Sequence, residues 1–351
     1  MRFHASKLTI GLVVSSGILL SACSSNTESS GPTTVRLLAH DSFVVSQSLV
    51  DQFKKDTGIT IEVTTGGDAG SMVAGAVLAS GSPSADVMFG IDNTLLSKAV
   101  DADVFSSYTA ADVNSIVPSL REDTAGGLVT PIDYGDVCIN IDDVWFAKHH
   151  LAAPTNIDQL TSKQYKDLLV VEDPASSSPG LAFLLATIAK YGDGWTKYWE
   201  ELNANGVKVS GSWTDAYESV FSASKGDRPM VVSYATSPPA EIVYSEAPKP
   251  SKPSTSVLTE GCYRQVEFAG VLRGTQNEAA AQKVVDWLLS APVQADVPLS
   301  MFVFPARSGV PLPKVFTKFA AQVPKPMQLP ASDVNSHLNE WLKTWGQVMG
   351  R

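Results

Sequence analysis

Short apolar runs alternate with segments of helical periodicity from residue 35 onward. Val35–Ala39 has the length of a buried strand, and Ser46–Asp56 carries apolar residues at helical spacing before Gly58, which is expected to end the helix. The elements predicted next are a strand at Ile59–Thr64, a helix at Ser71–Ala79 that Ser71 could cap, and a strand at Ala85–Gly90. This βαβαβ order predicts a parallel sheet with helices packed on it.

The same alternation resumes in the middle of the chain and predicts a second α/β unit. A strand at Leu168–Glu172 precedes a helix at Leu181–Tyr191, and Met230–Tyr234 is another buried strand. Glu278–Ser290 and Val334–Val348 follow as amphipathic helices. The Pro-rich stretches 247–253 and 311–330 predict surface loops.

The first residues predict export and anchoring. Arg2 and Lys7 accompany the apolar run Leu8–Leu20, so that 1–22 reads as a signal peptide. The letters LSAC end at Cys23 and resemble the bacterial lipobox, which implies cleavage before Cys23 and its lipidation; the alternative is an ordinary signal peptide with an incidental cysteine. Residues 23–34 then form a flexible tether. We expect a protein held at the cell membrane by its lipid anchor and facing the extracytoplasmic side.

Composition narrows the classes of partner. The chain has 351 residues, 44% of them hydrophobic, with 26 Lys and Arg against 36 Asp and Glu. That length allows about two domains with cores, and an acidic chain without a basic stripe argues against nucleic acid as a partner. Sequence motifs for nucleotide, P-loop, zinc-protease and hydrolase chemistry are missing, and five His with no ligand spacing make a metal site unexpected. We therefore expect no cofactor and no catalytic residues.

The three cysteines leave a choice open. With Cys23 lipidated, Cys138 and Cys262 would be the remaining thiols in an oxidising compartment, where a disulfide is the default. Two separate buried thiols are the alternative, because sequence alone does not place the cysteines close together.

Seven blocks resemble the thiamine-binding proteins of bacterial ABC importers. In chain order they are HDSF at 40–43, ADVMFGIDNTLL at 85–96, PIDYG at 131–135, DPASSSPGLAFLL at 173–185, GSWTDAY at 211–217, VVSYATSPPAE at 231–241 and EGCYRQVEFAGVL at 260–272. The resemblance implies an α/β, two-lobed periplasmic-binding-protein fold (type II-like), with two hinge-crossing strands and a ligand cleft between the lobes. It also implies a membrane permease as partner for a monomeric receptor.

That fold sets the expected boundaries of the lobes. Lobe 1 would comprise 35–135 and 268–310, and lobe 2 would comprise 136–267. A C-terminal segment, 311–351, would carry the terminal helix. The hinge crossings should fall near Asp133–Asn140 and Arg264–Leu272, which would place both Cys138 and Cys262 by the hinge and favours their pairing.

A ligand with a permanent cationic ring, such as thiamine, should be held by aromatic faces and carboxylates. By position in the resembling blocks, Trp213 and Tyr234 match aromatic contacts, and Tyr217 is a further aromatic candidate, with core packing as the alternative for it. Two positions differ from the family, since Ala240 stands where a Tyr is expected and Phe302 where a Trp is expected; Phe302 remains an expected stacking contact. A thiamine precursor or a related pyrimidine is therefore an alternative ligand, and thiamine phosphates are a further alternative.

Polar contacts complete the expected site. A phosphate would bind at two loops that open helices, through Asp68, Ala69, Ser71 and Ser177, with helix capping as the alternative. Asp41 and Asp92 follow predicted strands, where α/β sheets bind ligands, and capping is again the alternative. The remaining expected contacts are Ser42, Tyr134 and Ser237.

Two other functions can be weighed against binding. The thiaminase I enzymes resemble this receptor family in fold, and Cys138 with Glu267 could form a nucleophile and base. A disulfide at Cys138 would remove that nucleophile. A ferric receptor of the same superfamily would use adjacent Tyr residues, and this sequence has no such pair.

Overall fold

The structure is a computed structural model that describes residues 33–121 and 124–351. The predicted signal peptide 1–22, the lipidation site Cys23 and most of the predicted tether lie outside the described residues. In the part described, no helix is both long and apolar enough to cross a membrane.

Ten strands of the described chain form one mixed sheet. In chain order they are β1 (Thr34–Ala39), β2 (Thr60–Thr65), β3 (Val87–Asp92), β4 (Phe105–Ser106), β5 (Thr130–Asp142), β6 (Leu169–Glu172), β7 (Lys208–Ser210), β8 (Met230–Tyr234), β9 (Thr255–Leu272) and β10 (Phe304–Pro305). The main path runs β2-β1-β3-β9-β5-β8-β6-β7. The predicted parallel start is confirmed, because β1 pairs in parallel with both β2 and β3.

Helices lie between the strands. They are α1 (Gln47–Thr57), α2 (Ala69–Leu78), α3 (Leu96–Asp101), α4 (Asp143–Lys148), α5 (Ser178–Tyr191), α6 (Trp195–Ala204), α7 (Trp213–Asp215), α8 (Pro238–Val243), α9 (Glu278–Leu288), α10 (Ala291–Ser300), α11 (Lys314–Phe319) and α12 (Ala331–Met349). The prediction of a loop over 311–330 is wrong for α11, because Phe316 is buried there against Phe304.

Local sequence explains where these helices begin and end. Gly58 adopts the left-handed conformation (φ 72°) that ends α1, as predicted. The predicted cap of α2 is wrong, since the helix starts at Ala69 and the Asp68 side chain accepts a hydrogen bond from the Ala69 amide. A carboxylate caps a helix as well as a hydroxyl, and Ser71 falls inside the first turn.

Two long strands join the two ends of the sheet. Elements around β1–β3 form lobe 1 and elements around β6–β8 form lobe 2, while β5 and β9 lie antiparallel between them. The β5–β9 register shifts between Pro131 and Asp133 and again between Val137 and Ile139. The predicted crossings lie in these strands, and the residue boundaries of the lobes stay a prediction.

The cysteines lie where β5 and β9 run together. Cys138 and Cys262 form a disulfide in the structure, at a sequence separation of 124. Both are buried beside Ala235 and Val323. The bond therefore links the two strands that both lobes share.

Candidate functional site

A cavity of about 580 Å³ lies between the lobes. Lobe 1 contributes the loop after β1 and the segment between α10 and β10, and lobe 2 contributes α7, α8 and the end of β8. Eight residues expected from the sequence line it, namely Asp41, Ser42, Asp68, Trp213, Tyr217, Tyr234, Ser237 and Phe302. The volume falls in the range of small-molecule sites, about 300 to 1,000 Å³.

An aromatic wall, formed by Trp213, Tyr217 and Tyr234, covers the lobe 2 side. Trp213 and Tyr217 stack with ring centroids 5.0 Å apart and planes 17° apart, and Tyr234 meets Trp213 edge-on at 6.4 Å. The Trp213 indole Nε1 donates to Ser233 Oγ at 2.9 Å, and that hydroxyl lies 3.0 Å from Ser237 Oγ. The indole is therefore fixed at both its ring face and its nitrogen.

The local sequence builds this wall. Ser212 caps the turn by accepting from the Asp215 amide, and a π-helical turn at Ala216–Val220 continues α7. Positions 213 and 217 therefore lie on one face, where their rings stack. Gly135 on β5 makes room for Tyr234, because a Cβ there would lie 2.9 Å from Tyr234 Cδ1.

The mouth of the cavity carries Phe302 and Tyr244. Phe302 has a left-handed backbone (φ 54°) just after α10, and its ring is 5.5 Å from that of Tyr244 in a T-shaped contact. Ala240, one helical turn before Tyr244, also lines the cavity. The aromatic absent at position 240 is thus matched by one at position 244, which the sequence analysis missed.

Ionisable groups crowd the floor. His40 and Glu267 line the cavity, with His40 Nε2 3.5 Å from Glu267 Oε1 and His40 Nδ1 2.9 Å from Ser42 Oγ. Burial alone would lower the pKa of His40, but the carboxylates of Glu267, Asp68 and Asp41 together outweigh burial and raise that pKa. Beneath them, burial and the charge of Glu267 raise the pKa of Asp133 well above its usual value.

Asp68 bridges the lobes. Its Oδ1 accepts from the Ala69 amide at 2.6 Å in lobe 1, and its Oδ2 accepts from the Trp213 amide at 2.8 Å in lobe 2. Burial raises the pKa of Asp68 despite these hydrogen bonds. A further bond links the lobes, since the Ser71 amide donates to the Ser176 carbonyl at 3.2 Å.

These contacts occupy the backbone amides that were expected to bind a phosphate. The amides of Ala69 and Ser71 already have acceptors within the protein. A carboxylate, that of Asp68, occupies the start of α2 and would repel an anion placed there. Ser177 is fully buried at the start of α5.

Five expected contacts do not line the cavity, namely Ala69, Ser71, Asp92, Tyr134 and Ser177. Asp92 accepts hydrogen bonds from Thr94 and Leu95, which is the capping alternative for this residue. Tyr134 stacks on Phe304 at 5.3 Å, with Arg264 over its ring.

The sequence analysis also missed four ionisable side chains that line the cavity. His40 stands in the HDSF block, and Glu267 entered only as a candidate base, although both line the cavity. Glu218 and Lys225 line it as well. The signal available was the position of Glu267 on the second crossing strand, which the fold places beside the loop after β1.

The structure gives the thiaminase alternative no support. Cys138 Sγ is bonded to Cys262, and Cys138 does not line the cavity. Among the residues described, no group of three or more His, Cys, Asp or Glu is arranged to hold a metal ion.

Comparison with known proteins gives a family and relatives within it. A family model described as "Bacterial extracellular solute-binding protein" matches residues 41–295. The thiamine-binding periplasmic protein of Escherichia coli K12 is 28% identical over 269 residues, which cover 76% of this chain and 77% of that protein. The protein of the same name from Brucella suis is 25% identical over 320 residues, which cover 89% and 91%.

Solved structures share the fold. A periplasmic thiamin binding protein aligns with a TM-score of 0.79 at 24% identity, over 91% of this chain and 96% of that one. A ferric binding protein from Campylobacter jejuni aligns with a TM-score of 0.72 at 18% identity, over 90% and 99%. The predicted two-lobed periplasmic-binding fold is thereby confirmed.

Proposed function

Because the chain belongs to the bacterial extracellular solute-binding proteins, we propose that it captures thiamine outside the cytoplasmic membrane and delivers it to the permease of an ABC importer. The relatives named for thiamine binding support this ligand. The observation that carries the proposal is the aromatic wall of Trp213, Tyr217 and Tyr234 facing a cavity with carboxylates at its floor and rim. Aromatic faces and carboxylates together suit a flat organic cation.

The charges of the lining residues support a cation. Four carboxylates line the cavity, those of Asp41, Asp68, Glu218 and Glu267. The basic residues of the lining are His40, which is paired with Glu267, and Lys225 at the rim. A thiazolium ring entering this field gains attraction, whereas a phosphate meets mainly like charge.

We therefore propose free thiamine as the preferred ligand over its phosphates. The start of α2 carries the Asp68 carboxylate, and the Ser71 amide is bonded to Ser176. Lys225 is the cavity cation that a phosphate arm could reach. A single rim lysine offsets less charge than a phosphate carries.

Isothermal titration calorimetry tests the ligand. The protein should bind thiamine, bind thiamine monophosphate more weakly, and bind the isolated aminopyrimidine most weakly. Trp213→Ala should weaken thiamine binding by about 1 to 3 kcal/mol, because an aromatic and cation–π face is lost.

Trp145→Ala is the matched control, since Trp145 lies on α4 outside the cavity. Absence of thiamine binding by the unaltered protein would reject the proposed ligand. Equal affinities of the two variants would remove Trp213 from the binding site.

We propose that the mature chain begins at Cys23 and is held to the membrane by lipid on that residue. The lipobox resemblance of LSAC supports this. Cys23→Ala should release the protein from membranes in cell fractionation, whereas Ser24→Ala should leave it there. Membrane retention of the Cys23→Ala protein would contradict the anchor.

A further inference from the structure

Tyr244 is the aromatic side chain of the cavity that the protein itself covers least. It follows α8, and 66% of its surface is exposed although it lines the cavity. A large aromatic ring left open at the edge of a cavity offers an apolar face that a ligand can bury.

Phe302, the neighbour of Tyr244 in the cavity, has a strained backbone conformation. Its φ of 54° is unusual for a bulky residue, because the left-handed region brings Cβ close to the following carbonyl. Position 302 follows the end of α10, where glycine normally relieves this strain. Strain of this kind is often retained at ligand-binding sites. Here the strained residue is only 9% exposed, and its ring lies 5.5 Å from the ring of Tyr244.

The surroundings hold both backbones in place. On lobe 1, Asp296 of α10 accepts from the amide and hydroxyl of Ser46 at 2.9 and 2.6 Å. On lobe 2, Glu241 of α8 accepts from the Ser254 amide at 2.6 Å. Ala240 adds only a methyl group to the wall one turn before Tyr244. Tyr244 therefore follows a helix whose position is held by hydrogen bonds, and the small side chain of Ala240 leaves space beside its ring.

We propose that Tyr244 is a ligand-contacting, specificity-determining residue that closes the mouth of the cavity with Phe302 and lays its ring on the bound ligand. This inference rests on the proposed function, because it takes a flat heteroaromatic cation as the ligand. Tyr217 already covers one face of Trp213. The pair at the mouth supplies a second aromatic surface, on the side of the cavity formed by α8 and α10.

Three substitutions separate aromatic contact from simple coverage. Tyr244→Phe keeps the ring and should bind thiamine within about 2-fold of the unaltered protein. Tyr244→Leu keeps apolar area but loses the ring, and should bind about 3- to 10-fold more weakly, the range for a partly exposed cation–π contact. Leu78→Ala, on an exposed site of α2 outside the cavity, should leave affinity unchanged.

Calorimetry with thiamine is the measurement, and thermal unfolding checks that each variant is folded. Because Tyr244 is largely exposed, its variants should unfold close to the temperature of the unaltered protein. If the unaltered protein binds thiamine and Tyr244→Leu binds equally well, the inference about Tyr244 is overturned while the proposed function stands. If the unaltered protein binds no thiamine, both fail.

Discussion

At the residue scale, three acidic side chains outside the cavity lining are buried where the charged form of a carboxyl group is unfavourable. Asp92, Asp133 and Glu172 are buried, and the pKa of each carboxyl is raised, first of all by burial. For Asp92 burial raises the pKa to about 7, although hydrogen bonds from Thr94 oppose the rise and the charge of Glu267 adds to it. A carboxyl group that holds its proton more tightly in the folded state than in the unfolded chain makes the free energy of unfolding depend on pH.

The direction of that dependence is definite. A raised pKa means that the folded state holds a proton that the unfolded chain, with Asp pKa near 3.9, has released. The stabilisation from Asp92 is therefore full below about pH 4 and is lost as pH rises through about 7, by about 1.4 kcal/mol per pH unit between those limits. The raised pKa of His40 acts in the same direction.

Urea unfolding at pH 5 and pH 8 should show greater stability at pH 5. Asp92→Asn removes the titrating proton, and so should reduce the difference between the two pH values. Thr94→Val is the matched control, because it removes a donor to Asp92 and keeps the acid, so the pH difference should persist. An Asp92→Asn protein with the full pH difference would show that other groups cause it.

At the scale of elements, the sequence predicted the positions of most strands and helices that it singled out. Strands β1 and β8 and helices α1 and α12 lie close to their predicted positions, because hydrophobic period and Gly58 decide them locally. The start of α2 was misplaced, since Ser71 and Asp68 are both good caps and local sequence does not choose between them. The hydrogen bond from the Trp213 amide to the Asp68 carboxylate favours Asp68 as the residue that precedes the helix.

Residues lining the cavity could be predicted where they belong to one of the seven resembling blocks. They were harder to predict where segments distant in sequence come together. Trp213, Tyr217 and Tyr234 line the cavity as expected, whereas Tyr134 turns to Phe304 on the neighbouring strand. Tyr244 belongs to none of the seven blocks, and its place at the mouth follows from contact with Phe302, far away in sequence.

At the scale of the whole molecule, the two lobes touch through a glycine. A Cβ on Gly70, in the first turn of α2, would lie 2.7 Å from the backbone atoms of Ala175 and Ser176 in lobe 2. Real Cβ atoms do not approach backbone so closely, so a side chain at position 70 requires the backbone at Ala175 and Ser176 to move away from α2. The hydrogen bonds from Ser71 to Ser176 and from Trp213 to Asp68 lie beside this contact.

Gly70→Ala should therefore weaken thiamine binding and enlarge the radius of gyration measured by X-ray scattering in the presence of ligand. Gly75→Ala, in the same helix with open space around its Cβ, is the control and should change neither quantity. Both substitutions favour helix by up to about 1 kcal/mol, so a loss of affinity at position 70 alone would not be due to a weakened helix. Equal affinities would show that the contact at Gly70 does not limit closure.

The aromatic wall has a spectroscopic consequence. The chain has seven tryptophans, all within the described residues, and Trp213 is the one that lines the cavity between the lobes. Trp199 and Trp345 lie instead in the core, where they meet edge to face. A ligand entering the cavity thus contacts a single emitter while six others give a constant background. The protein contains its own optical probe, and the light that changes on binding comes from the ring on which the ligand is proposed to stack.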